Sequence, residues 1–280
     1  MIEARNLSFS YKDGPLALDD INLKIEDGQF IALLGVNGCG KTTLLKHLNG
    51  LLKPGKGEVL LDGRRLSSLS QEEVFQQVGM VFQDPNDQLF AINVEQDVAF
   101  GAFNLGLEAA EVSRRTAEAL QMVGATGLEL RPIHTLSYGQ KRRVAIAGVL
   151  AMRPGVILLD EPTGGLDPCG ISAIMRLLRS LNKQGNISMV MATHDVDLVP
   201  LFCDRIIVMS RGRILGQDTP RELFTNIELI RAANLRLPRI THLAEILMKE
   251  DGIRLEKLPL TIGQARKQLK ELMRDGCRQK

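Results

Sequence analysis

The sequence has no apolar run that approaches the roughly 18 residues a transmembrane helix needs. Its first residues, MIEARNLSFSYKDG, carry acidic and polar side chains where a secretory signal peptide would carry its apolar region. Cysteine is scarce: Cys39, Cys169, Cys203 and Cys277 lie far apart and form no CxxC pair, which argues against a disulfide framework and a zinc site. We therefore expect a cytosolic chain with reduced thiols.

A large excess of one charge is also missing. The 280 residues include 35 Lys and Arg against 33 Asp and Glu, which gives a formal net charge of +2. A general polyanion-binding surface needs a clear basic excess, so we expect no nucleic acid partner, and any bound anion must be held locally. The basic residues 141–143 (KRR) are interpreted as a solvated helix surface.

Apolar patterning predicts an α/β fold. Residues 2–31 alternate apolar and polar positions, which indicates antiparallel strands joined by a turn at Lys12 to Pro15. Residues 84–150 are predicted to be mostly helical, and a charged helical extension follows Pro220, with Thr261 as the N-cap of a helix. The remaining predicted strands are short, and several are near-continuous apolar runs typical of strands covered on both faces: 31–35, 57–63, 78–83, 156–161, 188–194 and 205–217.

The segment GVNGCGKT fits the pattern G-x-x-x-x-G-K-[ST] between a predicted strand and a helical pattern, which is the context of a phosphate-binding loop. Its glycines allow backbone N–H groups to curl around phosphate oxygens. Lys41 adds a positive charge for the terminal phosphates, and the Thr42 hydroxyl suits Mg²⁺. The predicted ATP-binding residues of this loop are Gly35, Val36, Asn37, Gly38, Cys39, Gly40, Lys41, Thr42 and Thr43.

Three polar residues follow buried strands, at the sheet edge where ligands of parallel sheets bind. Asp160 ends VILLD and is predicted to hold Mg²⁺, directly or through water. Glu161 is the candidate for polarising the attacking water, although an acidic residue after a strand often only caps the next helix. His194, in ATHD, has two interpretations: a structural histidine, or one that reaches the γ-phosphate.

Read in order, the motifs resemble those of ATP-binding-cassette transporter ATPases over roughly residues 2–225. Tyr11 stands where that family stacks an aromatic ring on adenine, and Gln83 in VFQDP matches its glutamine switch loop. LSYGQ matches its signature LSGGQ, GGLDP with Asp167 matches its dimer-contact loop, and His194 matches its switch histidine. The resemblance implies a catalytic pair of Glu161 and His194, with ATP and Mg²⁺ bound and the metal ligands Thr42, Gln83 and Asp160.

The resemblance also implies a fold and a domain division. The expected architecture is a P-loop NTPase core with an antiparallel β subdomain, a helical signature subdomain and a C-terminal helical extension. Residues 1–220 would form the cassette, including the helical subdomain at about 84–150. Residues 221–280 would form the extension, with a possible role in dimerisation.

Members of this family dimerise head to tail, so the signature of one subunit closes over ATP held by the other. The implied signature residues acting across the dimer are Ser137, Tyr138, Gly139 and Gln140, with a helix starting near Gln140 that directs its N-terminal dipole at the γ-phosphate. Tyr138 departs from the family pattern, which has glycine there. Either the position needs no positive φ, or this half-site is altered.

Two features narrow the branch of the family. The segment DPNDQLF after Gln83 and the extension with LPRITHLAEILMKEDG resemble the ATPases of energy-coupling-factor importers. That branch implies integral membrane transporter subunits and a second cassette ATPase, identical or paralogous, as partners. It places the chain peripherally on the cytoplasmic face of the cell membrane. Cobalt is the first candidate solute, and another divalent metal or a vitamin comes next.

Residues 84–90 are predicted to form a helix that contacts the coupling helix of a membrane subunit. Asp84 and Asp87 are interpreted as capping a helix start and not as ligands of a transported metal. A soluble cassette ATPase acting on DNA or the ribosome usually carries a long insertion or two cassettes, and this chain has neither. A P-loop kinase would leave LSYGQ unexplained.

The extension carries apolar residues at helical spacing, which need a surface to cover them. We expect them to pack partly against the equivalent extension of the partner ATPase. The alternative is that the extension folds back on its own core. These positions are Leu243, Ile246, Leu247, Leu269, Leu272 and Met273.

Overall fold

The computed structural model describes residues 1–12, 14–253 and 255–278. The strands predicted from apolar patterning are all present, within a few residues of the expected bounds. In chain order they are β1 (Ile2–Ser10), β2 (Leu16–Ile25), β3 (Phe30–Leu34), β4 (Lys56–Leu61), β5 (Arg64–Arg65), β6 (Val78–Val81), β7 (Val156–Asp160), β8 (Ser188–Thr193), β9 (Arg205–Ser210) and β10 (Arg213–Asp218).

The helices lie mainly between β6 and β7 and after β10, as expected. In the described ranges no helix is both long and apolar enough to cross a bilayer. In chain order the helices are α1 (Lys41–Leu48), α2 (Gln71–Gln77), α3 (Val94–Asn104), α4 (Ala109–Met122), α5 (Tyr138–Ala151), α6 (Pro168–Gly185), α7 (Val199–Phe202), α8 (Pro220–Thr225), α9 (Ile227–Ala232), α10 (Arg239–Lys249) and α11 (Ile262–Arg278).

A six-stranded sheet in the order β10-β9-β3-β8-β7-β6 forms the centre of the molecule. Its pairs are parallel except β10 with β9. Because successive side chains of a strand point to opposite faces, the apolar run of β3 serves two cores. Phe30, Ala32 and Leu34 enter one hydrophobic cluster, and Ile31 and Leu33 enter the other.

The second cluster is closed by α1 and by a smaller sheet in the order β2-β1-β4-β5. Its strands pair antiparallel, as predicted for residues 2–31, and the Gly14 N–H donates to the Tyr11 carbonyl at 3.0 Å in the connection between β1 and β2. The α/β class with an antiparallel β subdomain is thereby confirmed. The antiparallel sheet thus places β1 and β2 on the same side of the central sheet as α1.

The first cluster is closed by α3 to α6, and α3, α4 and α5 pack on one another as the predicted helical subdomain. The core also includes Leu223, Phe224, Ile230 and Leu237, which lie beyond residue 220. The same core includes Leu260, so any truncation that spares it must be made after that residue. The proposed division at residue 220 stays a prediction.

Two helix predictions need correction. Residues 84–90 contain only a short 3₁₀ turn, Pro85–Asp87, and not a helix. Asp84 does cap that turn, because its carboxylate accepts the Asn86 N–H at 2.9 Å. The signature helix α5 begins at Tyr138 and not near Gln140.

Thr261 is the N-cap predicted for α11: its hydroxyl oxygen accepts the Gln264 N–H at 3.2 Å. In the extension, α10 packs on α11, and Leu243, Leu247 and Leu269 line a shared apolar groove. Leu272 and Met273 remain 36% and 72% exposed. The extension therefore covers part of its apolar surface by itself and leaves part uncovered.

Candidate nucleotide-binding site

The phosphate loop connects β3 to α1 at the carboxyl edge of the parallel sheet. Gly38 and Gly40 have φ angles of 78° and 107°, a region that favours glycine. A Cβ on Gly40 would also lie 2.6 Å from the Ala17 carbonyl oxygen. Both glycines are thus required by backbone geometry, and Gly40 is additionally required by the close approach of β2.

Lys41 is the first residue of α1, and its side chain is 7% exposed. Its ammonium donates to the Gly35 carbonyl at 2.7 Å and to the Val36 carbonyl at 3.3 Å. The positive charge is thereby held inside the loop, next to the N-terminus of α1. A helix N-terminus and an adjacent ammonium together favour a polyphosphate at this position.

Asp160 ends β7 and is almost completely buried. Burial raises the pKa of its carboxyl, and a hydrogen bond from the Thr42 hydroxyl and the charge of Lys41 oppose that shift. Its Oδ1 atom is buried without a hydrogen-bond partner among the described residues. A buried carboxylate oxygen beside a threonine hydroxyl fits Mg²⁺, which prefers oxygen ligands. The residues present therefore fit the predicted metal.

Glu161 lies immediately after β7 with a φ of 45°, a left-handed conformation that costs a non-glycine residue roughly 1–2 kcal/mol. Its Oε1 atom is 3.1 Å from His194 Nδ1 and 4.0 Å from Lys41 Nζ. His194 follows β8, and its side chain is largely exposed. The structure thus brings the predicted catalytic pair and the loop lysine together, although they are distant in sequence.

The other predicted ATP-binding residues lie around this centre. Tyr11 is half exposed, and its hydroxyl is 3.3 Å from the Thr43 hydroxyl of the phosphate loop. Gln83 is exposed just beyond β6, where the Arg142 guanidinium donates to its carbonyl. Asp167 caps α6 by accepting the Gly170 N–H at 2.6 Å. Their roles in adenine stacking, metal binding and dimer contact stay predictions.

The signature residues form the first turn of α5. Ser137 is the N-cap: its hydroxyl oxygen accepts the Gln140 N–H at 3.3 Å, and the Gln140 side chain accepts the Ser137 N–H at 2.9 Å. This reciprocal pair is a capping box, which explains why the helix starts at Tyr138. Because Tyr138 is helical, its position needs no positive φ, and the first of the two interpretations of this departure is the correct one.

The prediction of a solvated surface at residues 141–143 is wrong for Arg142, which is 0% exposed. Its guanidinium donates to the carbonyls of Phe82 and Gln83, at 2.8 and 2.6 Å, and to the Tyr138 hydroxyl at 3.1 Å. The sequence interpretation missed this residue. The available signal was the spacing of Tyr138 and Arg142, since residues four apart on a helix are neighbours.

Within the described ranges, none of the hydrogen bonds made by Ser137, Tyr138 or Gln140 reaches the phosphate loop. The signature instead packs on the loop 164–167: a Cβ added to Gly165 would meet the Tyr138 ring at 2.9 Å. The structure therefore gathers the phosphate loop, Asp160, Glu161 and His194 into one site and holds the signature in a separate group.

Comparison with known proteins places these features in a family. A family model described as ABC transporter matches residues 18–164. The "Energy-coupling factor transporter ATP-binding protein EcfA" of Methanocaldococcus jannaschii is 52% identical over 99% of this chain and 99% of its own length. The protein of the same description from Methanococcus maripaludis is 51% identical over 98% of this chain and 99% of its own length.

Solved structures agree. That of cbiO1 from Clostridium perfringens, described as part of the ABC transporter complex cbiONQ, has a TM-score of 0.76 and 48% identity, and the match covers 88% of this chain and 98% of that one. A dimeric bacterial ABC transporter cassette has a TM-score of 0.71 and 32% identity, over 79% of this chain and 99% of that one. A post-hydrolysis dimer of the same cassette is described as bound to ADP and Pi.

Proposed function

Because this chain belongs to the ATP-binding-cassette transporter family, and within it to the ATP-binding proteins of energy-coupling-factor transporters, we propose that it drives import by closing head to tail with a second cassette around ATP. Its enzymatic activity is ATP hydrolysis coupled to transport. The observation that carries the proposal is that three side chains meet at the end of the parallel sheet: the Glu161 carboxylate lies 4.0 Å from Lys41 Nζ and 3.1 Å from His194 Nδ1.

We propose that the phosphates of ATP bind to the backbone N–H groups of residues 35–43 and to Lys41. Thr42, Asp160 and Gln83 would hold Mg²⁺, and the partnerless Oδ1 of Asp160 supports this set. When bound, the ion would offset the charge of the β- and γ-phosphates. Tyr11 is proposed to support the adenine end of the nucleotide, and its contact with Thr43 of the phosphate loop supports this role.

Glu161 is the proposed general base. Its carboxylate accepts the proton of the attacking water, and the His194 Nδ1–H tautomer donates to the same carboxylate and orients it. With Nδ1 engaged, Nε2 is the nitrogen left to contact the γ-phosphate.

The proposed clamp uses Ser137, Tyr138, Gly139 and Gln140 of one subunit against ATP in the other, with Asp167 at the contact between subunits. Two features support it. The first turn of α5 is capped and directs its N-terminus outward from an exposed Ser137, and these residues make no hydrogen bond to the phosphate loop of their own described chain. The proposed partner is a second copy of this chain or a paralogue. The exposed Leu272 and Met273 of α11 are proposed to contact the partner subunit independently of ATP.

A membrane subunit is the proposed second partner, which would place the chain on the cytoplasmic face of the membrane. Support comes from an apolar patch beside the switch loop, formed by Phe90, Ile92, Phe100 and Phe103, all exposed. Phe90 and Phe100 pack edge to face at 4.7 Å. The proposed solute is cobalt or another divalent metal ion, and a vitamin is the alternative. The solute would cross through the membrane subunits without touching this chain.

The test is purification of the tagged full chain from membranes in mild detergent. We expect an integral membrane subunit to copurify, and Phe103→Glu to lose it while a matched exposed change on α4, Met122→Glu, retains it. Reconstituted into vesicles, the complex should take up radioactive cobalt only with ATP. Uptake of a vitamin and not of cobalt would support the alternative solute and leave the transport function unchanged. A chain that copurifies with ribosomes or DNA and with no membrane subunit would contradict the proposal.

A further inference from the structure

A buried cation ties the signature helix to the switch loop. The Arg142 guanidinium reaches the carbonyls of both Phe82 and Gln83 and also the Tyr138 hydroxyl. Its carbon atom lies 5.5 Å from the centre of the Tyr138 ring. Arg142 thus connects the first turn of α5 to Gln83, the residue predicted to bind Mg²⁺, and is called the hub of this contact below.

This arrangement is costly for the fold. Within the described residues no carboxylate lies within ion-pair distance of Arg142, and its Nε is buried without a partner. Burial lowers the pKa of the guanidinium. The charges of Asp84 and Asp160 favour the cation without pairing with it, and its direct hydrogen bonds go to neutral oxygens. Because the desolvation of a buried charge offsets much of what its contacts gain, we explain this contact by the geometry that it imposes.

Tyr138 is the second component. Its ring lies against Gly165, and its hydroxyl meets Arg142, so one side chain contacts the loop 164–167 and the hub together. Glycine at this position would supply neither contact. The departure from the family signature therefore adds a physical connection that a glycine signature lacks.

We propose that Tyr138 and Arg142 form a positioning pair that holds the backbone of Phe82 and Gln83 in register with the signature turn, so that a shift of one moves the other. This inference rests on the proposed function for its consequence in catalysis, but the coupling itself is a property of the folded chain. Neither residue is assigned a chemical step. Within this pair both act through Gln83, and this role of Tyr138 is additional to its place in the proposed clamp.

The switch loop has other ties to α5. Gln88 donates to the Ala145 carbonyl and accepts the Phe82 N–H, and Lys141 donates to Asn86. Loss of the Tyr138 hydroxyl should therefore not detach the loop. It should loosen the residues nearest the hub, which makes Tyr138→Phe a mild and informative change.

The first experiment measures amide hydrogen exchange by mass spectrometry in the full chain, without nucleotide. Tyr138→Phe and Arg142→Lys should each raise exchange about threefold or more in peptides covering 80–90 and leave the phosphate-loop peptide unchanged. Because the two act as a unit, the double variant should exchange no faster than Arg142→Lys alone. Arg143→Gln is the matched control. Arg143 lies on the same helix as Arg142, but it donates to the carbonyl of Val123 at the end of α4, so its loss should leave peptides 80–90 unchanged.

The second experiment is ATP hydrolysis by the same variants at varied Mg²⁺. Tyr138→Phe should raise the Mg²⁺ concentration for half-maximal rate about threefold, with the KM for ATP nearly unchanged, because the displaced group is Gln83. If Tyr138 had only a structural role, Tyr138→Phe would lower the midpoint of thermal unfolding without raising the Mg²⁺ requirement selectively over the KM for ATP.

Unchanged exchange at 80–90 in both Tyr138→Phe and Arg142→Lys would overturn the pair. So would wild-type behaviour of Tyr138→Phe alongside loss in Tyr138→Gly, since ring packing on Gly165 would then be the whole effect. If exchange changes as expected but the wild-type chain hydrolyses no ATP, the positioning pair stands and the proposed function fails.

Discussion

The carboxyl edge of the parallel sheet and the C-terminal extension depart from ordinary packing in opposite ways. At the sheet edge, charged groups are buried: Lys41, Asp160 and Glu161 are 7%, 3% and 7% exposed. In the extension, apolar groups are exposed, as at Leu272 and Met273. Buried charge suits a small ionic ligand, whereas exposed apolar surface suits another macromolecule.

The extension also contains one buried charged group. Glu245 in α10 is also a buried carboxylate, but Arg231 and Lys249 reach it at 3.0 and 2.7 Å. Glu161 instead has an exposed histidine at 3.1 Å and an ammonium at 4.0 Å. A closely paired carboxylate is stabilised in place, while a carboxylate with looser partners is available for proton transfer. Burial alone therefore does not identify a catalytic acid or base.

The largest expected effect is that of Glu161→Gln. The amide keeps size and hydrogen bonding but cannot accept the proton, so kcat should fall about 100-fold or more while ATP binding persists. ATP should also trap the closed dimer, which size-exclusion chromatography would detect. A near-native hydrolysis rate would mean that Glu161 is not the base.

Ser137→Ala should lower ATP-driven dimerisation and hydrolysis by about tenfold, because a proposed contact with the γ-phosphate is lost. It should also cost about 1 kcal/mol of helix stability, since Ser137 is an N-cap. Ser70→Ala is the matched control: Ser70 caps α2 with the same capping box, so it should lose similar stability and keep dimerisation. Equal dimerisation defects in both variants would remove the clamp role.

In the extension, charging the exposed apolar pair with Leu272→Glu and Met273→Glu should weaken self-association without nucleotide about fivefold, measured by sedimentation. Hydrolysis at high ATP should change little, because the change is remote from the nucleotide site. Met122→Glu, an equally exposed change on α4, controls for added charge. Unchanged self-association of the double variant would favour the alternative, in which the extension packs only on its own chain.

The smallest effect is expected for Glu245→Gln. The hydrogen bond from Lys249 holds the pKa of this carboxyl below its ordinary value, so the ion pairs contribute stability above that ordinary value and lose it as pH falls through the folded-state pKa. Both cations are more than half exposed, so the loss at pH 7 should be only about 1 kcal/mol. Urea unfolding at pH 7 and at acidic pH checks it: the difference between variant and wild type should vanish in acid.

The sequence predicted the positions of the candidate site residues better than the residues that support them. Asp160 ends an apolar strand, Glu161 and His194 follow apolar strands, and parallel strands bring their carboxyl ends to one edge, so local patterns sufficed to place them together. The role of His194 came from the family resemblance and stays a prediction. The helix expected at 84–90 is absent, and nearby side chains accept backbone N–H groups in and beside this segment. Gln88 accepts the Phe82 N–H, and Asp97 accepts the N–H groups of Phe90 and Ala91. These side chains compete with the carbonyl oxygens that would accept the same N–H groups in a helix.

By itself, the sequence determined the phosphate loop, the strands that frame it and the carboxylates at their ends, because each is a contiguous pattern enforced by backbone sterics or by apolar periodicity. Only the tertiary structure decided that Arg142 is buried, that Tyr138 joins it to Gly165, and that the main core includes residues beyond 220, as far as Leu260. These outcomes depend on which face of α5 meets residues 82 and 83 and on which surface α8 and α9 cover. That choice is made by packing between elements far apart in the chain.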